Sequence, residues 1–369
     1  MSVRRPDYTL ITVTLALLVI GIAMVFSSSY TTARRDTGDA YYFLKRQVMW
    51  AAIGLVVLAV TARIDYRLWR RLAIPGYLAA TALLVLVLVI GDEALGARRW
   101  ISLGFVSIQP SELAKLAVVN LLAAYVAVFR TEIRSLVYGI VIPFLPVAVA
   151  FVLILMEPDL GTGLALLGTA GLMLFGAGAR MDYLFLLALS GIPPAIWLIK
   201  REPYRMRRIT AFLNPWADKS DSGWSIIQSL LAIGSGGLFG LGLGESRQKF
   251  SYLPEQHTDF IFAILAEELG FLGSMLVLLL FVTLAWRGYR AALKAPDVYG
   301  CTLAAGLTTM IILQAALNIA VVTALLPTTG ITLPLISSGG SSLVATLAGI
   351  GVVLNVSAAG QKPAVTTRA

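Results

Sequence analysis

The sequence predicts an all-α, polytopic membrane protein of about ten transmembrane helices, and three observations carry that expectation. Hydrophobic residues make up 58% of the 369 residues, charged residues only 13%, and mean hydropathy is +0.83, outside the range of a water-soluble domain. The apolar residues form continuous runs instead of alternating, which argues for helices over a transmembrane β-barrel. Runs of spanning length lie near residues 9–28, 47–62, 73–90, 112–129, 136–156, 159–178, 183–199, 260–286, 299–326 and 335–356, matched to a hydrocarbon core about 30 Å thick.

Arg4 and Arg5 ahead of apolar Leu10–Phe26 have the layout of a signal peptide. No A-x-A-like cleavage site follows and many further spans do, so the segment reads as an uncleaved first helix. The fifth and sixth runs are joined by little more than Glu157-Pro158-Asp159, which makes a tight helical hairpin. An even number of spans places both termini on one side. With the termini inside, 14 Lys and Arg fall on the cytoplasmic side and 6 in the short outer loops. The segment 200–258, between the seventh and eighth spans, adds 8 more outside. Long segments translocate largely regardless of charge, so both termini are expected in the cytoplasm. Residues 1–369 read as one transmembrane domain with no soluble enzyme domain appended, and 360–369 as a disordered tail. Cys301 stands alone, which excludes a disulfide framework and a cysteine metal site.

The long outer loop holds Arg201, Arg205, Arg207, Arg208, Arg247 and Lys249 where basic residues are normally scarce. Within it, Trp224, Ile226, Ile227, Leu230, Leu231 and Ile233 form a broad apolar face, so 223–233 is expected to lie as a helix in the outer interface. The glycine-rich stretch 234–244 reads as a flexible turn back to the membrane.

Ionisable groups mark where chemistry resides, because each costs roughly 2.5–3.5 kcal/mol at full membrane depth. Leu253 to Phe262 crowds Glu255, His257 and Asp259 at the threshold of the eighth span. Asp259 suits two roles: a cap for a helix N-terminus and, with its titratable neighbours, part of a polar cavity. Glu112 and Lys115 share one face of the fourth span at i and i+3. The pair reads either as self-neutralising or as the lining of a water-filled cavity that orients a carboxylate or phosphate. Glu267 and Glu268 lie roughly 12 Å further along the eighth span and suit structural hydrogen bonds. Ser337, Gly339, Gly340 and Ser341 fall in LPLISSGGSS, which fits close helix packing or a broken helix facing an anion. Arg98 and Arg99, with Arg46 and the loop arginines, make the outer face basic enough for a polyanionic ligand, and Trp100 beside them suits an interfacial anchor.

Together these pieces resemble the SEDS family (shape, elongation, division and sporulation) of bacterial peptidoglycan polymerases. The resemblance spans nearly the whole chain. It rests on Phe43-Leu44-Lys45-Arg46-Gln47, Arg99-Trp100-Ile101, Gln109-Pro110-Ser111-Glu112-Leu113-Ala114-Lys115, Pro254-Glu255-Gln256-His257-Thr258-Asp259-Phe260 and the segment from Leu333 to Ser342. Ser338 departs from the family, which more often has tyrosine there. The stretches Tyr204–Ile209 and Ser246–Pro254 tilt toward the division-type FtsW branch over the elongation-type RodA branch.

The resemblance implies an inverting glycosyltransferase of the bacterial inner membrane that joins lipid II to a nascent glycan at the outer leaflet and releases undecaprenyl diphosphate. Asp259 matches the family's essential aspartate and would act as the base or position the acceptor hydroxyl, with Glu112 and Lys115 sharing its cavity. Arg46, Arg98, Trp100, Arg205, Lys249, Glu255, His257, Ser337, Gly339, Gly340 and Ser341 are the candidate substrate contacts. No organic cofactor is implied. A divalent cation, Mg2+ or Mn2+, would suit the diphosphate, although no clean ligand set is visible. The implied partners are a class B penicillin-binding protein and other divisome or elongasome membrane proteins, with no nucleic acid. A lipid II flippase is the alternative from a different class, since a basic cavity with buried carboxylates serves transport equally well.

Overall fold

A computed structural model of the chain describes residues 6–94, 97–104, 106–217, 222–249 and 253–360. The tail expected to be disordered lies, beyond Gly360, outside the described residues. Among the described residues nine helices are long and apolar enough to cross a membrane: α1 (Tyr8–Thr37), α2 (Tyr42–Arg63), α4 (Ala73–Ile90), α5 (Pro110–Val128), α6 (Ile142–Met156, entered through a π-turn at Val137–Val141), α8 (Met181–Arg201), α11 (Ile261–Leu293), α12 (Val298–Val322) and α13 (Gly340–Ala359). The tenth apolar helix is α7 (Leu160–Gly176), whose 17 residues reach about 25 Å at 1.5 Å per residue. Short α3 (Tyr66–Arg71) joins α2 to α4.

The core is assembled around α12, which packs on α11, α5, α7 and α13, while α13 lies along α2. Small residues allow the closest approach: a Cβ on Gly351 of α13 would run into Thr61 of α2. In contrast, α8 has no buried residue along its whole length.

Two contacts fix the faces of the bundle. Asp7 caps α1 by accepting from the Leu10 amide at 3.1 Å and pairs with Arg287 of α11 at 2.5 Å. At the other end of the chain, Gly360 packs against the backbone of Lys294, just beyond α11. Both described ends therefore sit at the C-terminal end of α11, and Asp259 sits at its N-terminal end.

The segments on the face opposite the chain ends are more ordered than expected. Between α4 and α5 an antiparallel sheet forms from β1 (Asp92–Ala94), β2 (Ala97–Leu103) and β3 (Val106–Ile108), in the order β1-β2-β3. The long loop contains α9 (Pro203–Leu213) as well as α10 (Ser222–Ser235). Helix α10 buries Ile226 and Ile227 against the bundle and leaves Leu230 and Leu231 exposed.

The glycine-rich stretch is not the flexible turn the sequence suggested. Helix α11 breaks at Gly270, where φ is +67° and ψ is −166°. The carbonyls freed there, of Glu267 and Glu268, accept from the amides of Leu241 (3.0 Å) and Gly242 (3.1 Å). The amides of Phe271 and Leu272 donate to the carbonyls of Gly237 (2.9 Å) and Leu238 (3.2 Å). A break in apolar surroundings persists only when its backbone groups are satisfied. Gly240 and Gly270 meet with no room for a Cβ on either.

The last span also starts later than expected, at Gly340 instead of 335. Ser337 holds the preceding residues as a loop: its Oγ accepts from the Leu333 amide at 2.8 Å and donates to the Thr258 carbonyl at 2.6 Å.

Candidate active site opposite the chain ends

Asp259 stands at the entrance to α11, in the loop that the bundle presents on the face away from both chain ends. The Ser338 amide donates to the His257 carbonyl at 2.9 Å, so the LPLISSGG loop and the His257–Asp259 segment are tied together by two bonds. From α12, Asn318 Nδ2 donates to the carbonyls of Asp259 (2.8 Å) and Ile331 (2.6 Å). The Asp259 carboxylate faces a cavity of about 320 Å³ lined by Arg208, Trp224, Glu255, Phe260, Thr328 and Gly330, among others.

The electrostatics suit a base. Burial pushes the Asp259 carboxyl up to about 7, helped by the negative charge of Glu255 and Asp159 and opposed by Arg208 and Arg99. A carboxyl near neutrality can be ionised at working pH and still accept a proton. Glu255 keeps its side chain on the Thr258 hydroxyl at 2.8 Å. The His257 ring lies against Phe43, with centroids 4.4 Å apart, and burial lowers its pKa, which favours the neutral imidazole.

The remaining candidates separate into three groups. Glu112 and Lys115 are buried and paired at 3.0 Å, and Lys115 Nζ donates to Gln314 Oε1 at 2.6 Å. Gln314 Nε2 in turn reaches the Thr332 carbonyl at 3.1 Å. The pair was expected to share the Asp259 cavity. It lies deeper instead, and connects to Asp259 through Gln314 and Asn318, one turn apart on α12. Ser341 joins the same outer layer, accepting from the Gln109 amide (3.1 Å) and donating to the Ser107 carbonyl (3.0 Å). Gly340 presses on the Trp50 ring too closely for any Cβ, and Gly339 is the extended residue that precedes α13.

Two candidates point away from the cavity. Arg205 is buried on α9, bonded to the Tyr204 hydroxyl (2.9 Å) and the Leu198 carbonyl (3.2 Å). Lys249 is buried beside Glu268 at 3.6 Å and donates to the Gly244 carbonyl. That Glu268 accepts from Ser27 of α1 at 2.6 Å, and Glu267 from Ser246 at 2.5 Å, so both glutamates hold the loop against the bundle.

Arg46, Arg98 and Trp100 stay at the protein surface: Arg46 donates to the Tyr42 hydroxyl at 2.9 Å, Arg98 is exposed, and Trp100 pairs with Asp92 across β1 and β2. Strand alternation turns the neighbouring Arg99 inward, where Nε donates to the Glu157 carbonyl at 2.9 Å and a terminal nitrogen to that of Pro158. Arg208, one turn after Arg205, lines the cavity and donates to the Thr328 carbonyl at 3.2 Å. Asp159 caps α7 at the Thr162 amide (3.0 Å) and accepts from Gln109 (3.5 Å). Glu157 is fully buried with neither oxygen hydrogen-bonded, and burial pushes it up to about 8.

The arrangement matches a known family. The family model described as "Cell cycle protein", covering FtsW, RodA and SpoVE, matches residues 8–362. The chain belongs to this family. It is 49% identical over 354 residues to Stage V sporulation protein E of Bacillus subtilis, covering 95% of this chain and 97% of that one. It is 43% identical over 358 residues to a "Probable peptidoglycan glycosyltransferase FtsW" of Geobacter sp. (strain M18), covering 96% and 98%. Among solved structures it resembles a chain from a study of "polymerization and crosslinking by a peptidoglycan synthase complex", with TM-score 0.80 and 33% identity over 95% of this chain and 97% of that one. It also resembles rod shape determining protein RodA of Thermus thermophilus, with TM-score 0.69 and 31% identity over 95% and 96%. As a member of the FtsW–RodA–SpoVE family it is a multi-pass membrane protein.

Proposed function

We propose that this chain is a peptidoglycan glycosyltransferase of the bacterial cell membrane that extends a glycan strand from lipid II at the outer leaflet, with both termini in the cytoplasm. The observation that carries this reading is Asp259, a carboxyl held near neutrality beside Arg208 in a cavity on the face opposite the chain ends. The glycosyltransferase name of the 43% identical relative supports it.

In this mechanism the 4-hydroxyl of the acceptor GlcNAc passes its proton to Asp259 as its oxygen attacks C1 of the donor MurNAc. The bond from C1 to the diphosphate oxygen breaks, undecaprenyl diphosphate departs, and the α linkage becomes β. One general base suffices for such a single displacement and contributes roughly 10²–10⁴-fold. Arg208 shares the cavity with the carboxylate and can neutralise charge gathering on the leaving diphosphate, with Arg99 adding positive charge from nearby. The deeper Glu112–Lys115–Gln314 chain acts through α12, holding Asn318 and thereby the Asp259 backbone.

A divalent cation would need several oxygen donors. Among the described residues no group of three or more His, Cys, Asp or Glu could hold a metal ion without the substrate; with a diphosphate supplying oxygens, Asp259 and Glu255 of the cavity would be the protein donors, and no step is assigned to a metal. The chain would work beside a crosslinking penicillin-binding protein, in keeping with the synthase complex that its structural neighbour belongs to.

The test is glycan polymerisation from purified lipid II with the partner present. Asp259→Asn should abolish it while leaving the fold intact, and polymerisation at the wild-type rate would sink the assignment. Lipid II movement across liposomes without glycan formation would assign transport instead.

A further inference from the structure

On the face that carries both chain ends lies a second cavity, of about 510 Å³, far from Asp259. It is lined by Arg67, Arg70 and Arg71 of α3, with Asp297 and Tyr299 at the start of α12. The three arginines fall at i, i+3 and i+4, on one face of α3, where like charges repel. Two carboxylates oppose them, both near Arg67: Asp65, which caps α3 at the Arg67 amide, and Asp297, which is already committed. Asp297 Oδ1 caps α12 by accepting from the Gly300 amide at 2.7 Å, and Oδ2 accepts from the Tyr66 hydroxyl at 2.5 Å. Only Arg67 reaches it, at 3.6 Å. Arg70 lies over the Tyr299 ring at 6.0 Å, a contact that orients a guanidinium without neutralising it.

Tyr66 and Tyr299, both buried and stacked at 6.2 Å, give the cavity a rigid floor. The Tyr299 hydroxyl donates to Asn120 on α5 at 2.7 Å, and Asn120 donates to the Trp69 carbonyl at 2.8 Å. Helix α3 is thus clamped to two spans with its charged face turned to the cavity. Asp65 and Asp297 both act on Arg67 and are spent on helix caps, so the Arg70 and Arg71 forks leave a fixed positive surplus at the membrane boundary. Forked donors in that setting match the oxygens of a phosphate.

From this geometry we propose that the α3–α12 cavity is a phosphate-binding site, filled from the adjoining leaflet by the headgroup of an anionic phospholipid. The site is independent of the outer cavity and of the reaction assigned there. Phosphatidylglycerol fits the chemistry: its phosphodiester would take the Arg70 and Arg71 forks while its tails stay in the bilayer.

Native mass spectrometry of the full-length protein in detergent, titrated with phosphatidylglycerol and with zwitterionic phosphatidylcholine, tests this. Wild type should bind phosphatidylglycerol in preference, and R70Q/R71Q should weaken that binding about thirtyfold with phosphatidylcholine unchanged. R180Q, which removes an exposed arginine of another loop on the same face, should leave phosphatidylglycerol binding unaltered. All three positions are exposed on the protein surface, and circular dichroism should show wild-type helix content. Inorganic phosphate supplies the second arm. If R70Q/R71Q loses inorganic phosphate binding but keeps its lipid binding, the phosphate site stands and its occupant is a soluble ion. If the double variant binds both probes as wild type does, the proposal is overturned.

Discussion

Asn318 holds the backbone of Asp259 from a neighbouring helix: its Nδ2 donates to the Asp259 carbonyl at 2.8 Å and to the Ile331 carbonyl at 2.6 Å. One amide thus ties the base, the last loop and α12 together. Asn318→Ala leaves both carbonyls unpaired in a buried setting, at about 1–3 kcal/mol. The variant is expected to unfold at a lower temperature and to polymerise at least tenfold more slowly. Comparing kcat with KM checks the positioning role, because a displaced base lowers kcat and spares binding.

The carboxyl of Asp259, pushed up to about 7, sets a pH profile. Only the ionised form accepts the acceptor's proton, so kcat/KM should fall about tenfold per pH unit below that value and level off above it. Glu255 raises this pKa and Arg208 lowers it. E255Q should therefore move the inflection to lower pH and R208Q to higher pH. An inflection that ignores both substitutions would argue against Asp259 as the titrating group.

Glu157 predicts a pH dependence of stability. Its native pKa of about 8 stands above the ordinary 4.5, so between those values the folded state binds the proton more tightly than the unfolded state does. The group's contribution is fully present below 4.5 and is lost as pH rises through about 8. E157Q, which keeps the shape without the charge, should melt at a higher temperature than wild type above pH 8, and the difference should close under acid conditions. Thermal unfolding in detergent across that range measures it.

Lys115 and Glu112 form a pair whose halves depend on each other. Lys115→Met strands a buried carboxylate, a change worth about 3–5 kcal/mol, whereas replacing both charges is often close to neutral. K115M should therefore be strongly destabilised, and E112Q/K115M should recover most of the loss. A double-mutant cycle on thermal stability reads the coupling directly.

Hydropathy made the spans legible, because hydrocarbon thickness imposes length and composition on each helix in isolation. The outer site was harder to read, since facing partners depend on which side of a strand or helix turns inward. Arg98 and Arg99 read alike in the sequence, yet strand alternation leaves Arg98 exposed and turns Arg99 inward onto the Glu157 carbonyl. The same phase problem selected Arg205, which spends its donors on Tyr204 and Leu198, over Arg208 three residues later. Gln314 and Asn318 were within reach: uncharged amides at i and i+4 inside an apolar span signal a hydrogen-bonded face. The break at Gly270 was not, because nothing local distinguishes that glycine from others in transmembrane helices; its φ is set by the distant 237–242 backbone.

The two bonds between the LPLISSGG loop and the His257–Asp259 segment have a consequence for biogenesis. The residues that fix the Asp259 segment are made some eighty positions after it, next to the final helix. A chain still emerging from the ribosome, or one whose last span has not entered the bilayer, holds Asp259 without its Ser337 and Ser338 clasp. The site around Asp259 is completed only when membrane insertion is finished, so under the proposed function a half-inserted chain would be inactive.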